Sequence, residues 1–71
     1  MDKVFIKKIA KNIKKYRNLK NFSQIKLGME ADISPSTIGM FESAKNDMTL
    51  SKINAIAKAL DIEAYKLLKF E

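Results

Sequence analysis

The chain contains no cysteine and no histidine. Disulfide staples, thiol chemistry and the usual zinc ligand sets are therefore excluded. Glycine occurs twice and proline once, which leaves little room for loops. No glycine-rich phosphate loop and no convergent pair of carboxylates can be traced. A serine–lysine pair can be drawn almost anywhere in so lysine-rich a chain and carries no information. An enzyme is not expected, nor is a metal or other cofactor. No apolar run approaches the length of a bilayer span, and no apolar block with a cleavage site follows the N-terminus, so a cytoplasmic location is expected and a membrane partner is not. Acidic residues are also scarce, eight against fourteen lysines and arginines.

What remains is apolar and basic. Apolar residues make up 46% of the 71 positions, enough for one small globular domain spanning 1–71 and held by packing alone. The net charge of +6 is unevenly placed. Residues 1–30 carry eight lysines and Arg17 against Asp2 and Glu30, a net +7. Residues 31–71 carry five lysines against six acids, a net −1. A polyanion fits the basic half, because lysines that replace condensed counterions drive such binding. A solvated, solubilising lysine face fits the same composition.

The stretch from Ser23 to Glu42, SQIKLGMEADISPSTIGMFE, organises the rest. It reads as two short helices about a tight turn. The first opens at Ser23-Gln24 and stops near Ala31-Asp32; the second opens at Ser34-Pro35 and runs to about Ser43. Ser34 suits an N-cap, and Pro35 then takes the first helical position, where a missing N–H costs nothing. Ile33 and Ile38 are spaced as a hydrophobic staple. This is a helix-turn-helix arrangement, over about 23–43, whose second helix can enter a DNA major groove. Leu27, Gly28 and Ala31 form the inward face of the first helix, and its Ile25 and Met29 point outward. In the second, Ile38 and Phe41 point inward, while Ser36, Thr37, Met40 and Ser43 share an uncharged outer face.

Residues 3–19 form a preceding helix with Ile6, Ile9, Ile13 and Tyr16 as its apolar stripe and Lys7, Lys8, Lys11, Lys14 and Lys15 opposite. A basic amphipathic helix also suits a membrane surface. The apolar helices that follow need its stripe as a core wall, which favours a bundle. Asn21 suits a left-handed turn after it, and Phe22 is placed to pack under the next helix. Thr49 caps a fourth helix with Leu50, Ile53, Ile56, Ala57 and Leu60 at helical spacing. Asp61-Ile62 breaks it, and a fifth helix is expected over about 63–70.

This ordered set resembles the Cro/repressor-type helix-turn-helix domains of phage repressors, small bacterial regulators and some antitoxins. The residues that carry the resemblance are Ser23-Gln24, Leu27, Ile33-Ser34, Ser36-Thr37-Ile38, Glu42, Lys45, Leu50 and the IAKALDI stretch from Ile56 to Ile62. It covers about Ile9 to Leu68. The short AKNDMTL connection looks closest to the controller proteins of restriction–modification systems. The resemblance implies an all-α, five-helix, lambda-repressor-like domain of bacterial or phage origin, resident on the nucleoid when bound.

It also implies roles. Gln24 would meet a phosphate or a base near one. The second helix of the motif would present Pro35, Ser36, Thr37 and Met40 to the major groove, and Lys45 and Asn46 would meet the backbone beside it. Ser23, Ser34 and Ser43 complete the candidate DNA-facing set. Arg17 and Glu42 match a pair that forms an internal salt bridge. Asp32 and Ala44 stand where glycine is common, Gly39 lies inside a helix, and Pro35 replaces a frequent base-reading side chain. No Arg or Lys lies on the reading face, so modest direct readout is expected, with much of the affinity from phosphates and some specificity from DNA shape. The expected function is a transcriptional regulator bound as a homodimer to a two-half-site operator, with Tyr65, Leu68 and Phe70 as interface candidates and local core closure as their alternative role. The alternative function is an antitoxin, with Ile25 and Met29 available to a toxin. No small-molecule ligand is expected.

Overall fold

The first helix, α1 (Lys3–Leu19), starts where Asp2 can cap it: one Asp2 oxygen accepts the backbone N–H groups of Val4 and Phe5 at 3.0 and 3.1 Å. The Asp2 negative charge also suits the positive end of the helix dipole. Ile6, Ile9, Ala10 and Ile13 go inward, and the lysines of the helix stay exposed. The computed structural model describes residues 2–70.

Three further α-helices follow, α2 (Gln24–Ala31), α3 (Pro35–Glu42) and α4 (Leu50–Ala59). Each starts on a hydroxyl cap. Ser23, Ser34 and Thr49 accept the N–H of Lys26, Thr37 and Lys52 at 2.9, 3.2 and 3.2 Å. The staple residues Ile33 and Ile38 are both buried. The four α-helices among the described residues also stop in a common way, on a left-handed residue: Asn21, Asp32, Ala44 and Asp61 have φ between 57° and 59°. The residue after each donates its N–H back five positions, as Phe22 does to Arg17 at 3.0 Å and Lys45 to Met40 at 3.1 Å. These bonds satisfy carbonyls that a helix end would otherwise leave bare. Asn and Asp tolerate this conformation because a short polar side chain can bond locally; alanine has no such help.

The core draws one fully buried side chain from each element: Ile13, Leu27, Ile38, Ile56 and, from the last turn, Leu67. Burial of such a side chain stabilises by about 1.5–3 kcal/mol, so each element is anchored by at least one. Phe22 and Tyr16 pack at the rim of this cluster. The class is all-α, with α2 packed on both α3 and α4, and α1 on α3.

Two expectations need correction. The expected fifth helix over 63–70 is a single 3₁₀ turn, Ala64–Leu67, starting at Glu63 without a side-chain cap. Without a side-chain cap at Glu63, the segment closes on i→i+3 bonds, Lys66 to Glu63 and Leu68 to Tyr65 at 3.0 Å each, the 3₁₀ geometry used in short pieces. Leu50, placed in the apolar repeat of α4, is 79% exposed. It stands at the first position of its helix, one turn before Ile53, and projects beyond the core.

Candidate nucleic-acid interface

The residues singled out from the sequence gather around the α2–α3 unit. Turn residues Ile33 to Pro35 run close over α2 because Gly28 has no Cβ. A Cβ there would lie 2.5 Å from the Ile33 carbonyl oxygen, closer than packed atoms can sit. The glycine therefore sets the approach of α3 to α2.

Below α3 lies an ion pair. Arg17 Nε and Nη2 donate to Glu42 Oε2 and Oε1 at 2.6 and 3.0 Å, a two-pronged contact. Its Nη1 donates to the Phe22 carbonyl at 2.7 Å. The two side chains are only 11% and 4% exposed. Charge-assisted, fork-shaped pairs are the strong kind of hydrogen bond, and this one ties α1, the turn before α2 and the end of α3 together. Gln24 joins it, its Nε2 donating to Glu42 Oε1 at 3.2 Å. Nothing in the sequence pattern pointed to that third member, although Gln24 lies on the exposed start of α2.

Pro35, Ser36 and Met40 are exposed on α3, and Thr37 and Gly39 are half-buried. The start of the helix carries a hydroxyl cluster: Ser34 Oγ lies 2.7 Å from Thr37 Oγ1 and 3.3 Å from Ser36 Oγ. Ser34 and Thr37 satisfy each other, which leaves Ser36 the more available hydroxyl. Ser43 turns back on its own helix, its Oγ donating to the Met40 carbonyl at 3.2 Å. Ser23 is exposed while it caps α2. Lys45 is exposed just beyond α3 and Asn46 half-buried. No charged side chain projects from the face formed by Pro35, Ser36 and Met40.

Tyr65, Leu68 and Phe70 lie apart from this unit, at the last turn. Tyr65 and Leu68 are exposed. Phe70 is half-buried and meets the Phe5 ring edge-on, with centroids 5.5 Å apart. Ile25 and Met29 are exposed on α2, beside the surface pair Lys26–Glu30 at 3.0 Å. The described residues contain no cluster of acidic side chains able to hold a metal ion, and no helix among them is long and apolar enough to cross a membrane. The sequence reading missed Asn12, whose side-chain amide donates to the carbonyls of Leu67 and Lys69 at 2.9 and 3.1 Å and ties α1 to the last turn. Its only signal was an amide set at the border of an apolar stripe.

Comparison with known proteins agrees with this geometry. A helix-turn-helix family model matches residues 13–67. Control protein C.SmaI of Serratia marcescens is 39% identical over 60 residues, covering 84% of this chain and 71% of that protein. The crystal structure of the restriction–modification controller protein C.AhdI from Aeromonas hydrophila superposes with a TM-score of 0.86 at 29% identity, over 87% of this chain and 94% of that one. A hypothetical transcription factor, NHTF from Neisseria, superposes with a TM-score of 0.90 at 27% identity, over 99% and 82%. The chain thus belongs to the helix-turn-helix family of DNA-binding transcriptional regulators, and restriction–modification control proteins are among its relatives.

Proposed function

We propose that the chain is a controller-type regulator that binds a two-half-site operator as a homodimer, with α3 in the major groove. The observation that carries this reading is the exposed, uncharged face of Pro35, Ser36 and Met40, held rigidly by the Arg17–Glu42 pair beneath it. Ser36 can make single hydrogen bonds to base edges, and Pro35 and Met40 can touch thymine methyls. Thr37 contributes from the same helix start. Lys45 and Asn46 are assigned to the DNA backbone beside the groove and Gln24 to a phosphate or a base near one, and Ser23, Ser34 and Ser43 complete the DNA-facing set. Direct base reading is then modest, and phosphate contacts and DNA shape supply the remainder.

Size supports the homodimer on an operator of two half-sites. The longest dimension of the described residues is 28 Å, whereas the centres of two half-sites lie about 34–36 Å apart. One copy cannot seat a helix in both. Tyr65 and Leu68, with the edge of Phe70, are the proposed contact between copies. The relatives are named as controllers and a transcription factor, which favours this reading over an antitoxin. Such a protein would act in the cytoplasm of a bacterium, on the nucleoid. Selection from a random duplex pool should return an inverted repeat with half-sites about one helical turn apart. Base substitutions in it should have shallow penalties and the salt dependence should be steep. A single half-site, or a large penalty at one G·C pair, would overturn the reading.

A further inference from the structure

A groove of about 570 Å³ runs between α1 and the last turn, a size common to small-molecule sites. Lys8, Lys11 and Lys15 line it from α1, and Lys66 and Lys69 from the other wall. No carboxylate lines it among the described residues. Three aromatic rings, Tyr16, Tyr65 and Phe70, complete the walls. We propose that this groove binds a nucleoside polyphosphate, with the lysines on the phosphates and the rings against the base.

The arrangement suits that ligand in three respects. Lys8, Lys11 and Lys15 recur at intervals of three and four, so they form one row about 10 Å long on the helix surface. A chain of phosphates can run along such a row. The walls are fixed in advance, because Asn12 donates to the carbonyls of Leu67 and Lys69 across the floor. Lys8 lies 5.5 Å from the Phe70 centroid and Lys15 5.4 Å from that of Tyr16, so those two rings each carry an ammonium group and the exposed Tyr65 offers the open face for a base. Aromatic faces accept any base, and a polyphosphate answers the charge of five clustered lysines better than a single carboxylate does. The basic charge of the first half is thereby divided. Arg17 is neutralised in the core and Lys26 pairs with Glu30, whereas the three groove lysines of α1 face the last turn. This departs from the expectation that no small molecule binds, and it places Tyr65 and Phe70 at both the groove and the proposed contact between copies, so the ligand lies at the edge of that contact.

The test uses a property of the composition. Tyr16 and Tyr65 are the two tyrosines of the chain, and it has no tryptophan; tyrosine emission therefore reports on the groove. The whole chain is titrated with sodium tripolyphosphate by fluorescence, and with GTP and ATP by calorimetry, at about 0.15 M salt, where the screening length is about 8 Å. Saturable binding at one site per chain is expected, tighter for the nucleotides than for tripolyphosphate. The K11Q/K66Q double variant should bind about tenfold more weakly, which is about 1.4 kcal/mol, with an unchanged thermal melt. Tyr65→Leu should remove the advantage of the nucleotides and leave tripolyphosphate binding in place. A linear, unsaturable titration, wild-type affinity in the double variant, or equal affinity for GTP and tripolyphosphate would overturn the proposal. So would a poly-glutamate peptide that binds as tightly as GTP.

Discussion

The two helices of the central unit have the same length, a serine cap each and one glycine each, yet the glycines answer different demands. Gly28 of α2 faces the backbone of the turn, and an added methyl would strike the Ile33 carbonyl at 2.5 Å. Gly39 of α3 faces only the Gln24 side chain, with Oε1 at 3.5 Å, an ordinary contact. Packing therefore requires the first glycine and not the second. α2 is the fixed partner that sets the position of α3, and α3 keeps an outer surface that the fold does not constrain.

The largest effect should come from removing what holds α3 in place. Arg17→Met leaves the Glu42 carboxylate buried without its cation, a loss of about 3–5 kcal/mol, enough to unfold most of a chain this small at 37 °C. A urea titration measures it; a loss below 1 kcal/mol would show that the pair is dispensable. Gly28→Ala comes next, at about 2–3 kcal/mol, since backbone has to move to admit the methyl. If Gly28→Ala proved neutral in the same titration, the contrast between the two helices would collapse.

Smaller effects sharpen the contrast. Lys45→Ala should weaken duplex binding evenly across sequences and lower the salt slope by about one, with no change in melting. Ala44→Gly should raise stability by up to about 1 kcal/mol, because φ of 59° strains alanine and not glycine. Gly39→Ala should likewise raise stability, by about 0.5–1 kcal/mol, and its methyl should at the same time hinder contact with the duplex. A calorimetric melt paired with a binding isotherm reads both signs, and a loss of stability would mean that Gly39 serves packing after all.

Much of the fold was legible because its signals are local. The caps Ser23, Ser34 and Thr49 and the left-handed stops at Asn21 and Asp32 each involve residues within one turn, and the helix limits follow from them. The match of Arg17 to Glu42 was available from the family resemblance, since no local pattern links positions 25 apart. The end of the chain was misread for a physical reason. Tyr65, Leu67 and Leu68 have helical spacing, but a 3₁₀ turn satisfies the same residues with fewer hydrogen bonds, and spacing cannot separate the two over four positions. Leu50 was misread because a periodic pattern does not say where the core ends. The groove beside Asn12 was invisible from the sequence, because its two walls lie far apart in the chain, Asn12 and Leu67 by 55 positions.

The central claim is that the outer face of α3 meets the duplex. Amide chemical-shift changes on addition of the selected operator test it directly. The account predicts that the largest changes fall on Gln24, Ser36 to Met40, Lys45 and Asn46, with Lys8 to Lys15 and Lys66 to Lys69 little moved. Changes concentrated on those lysines, with α3 undisturbed, would contradict it.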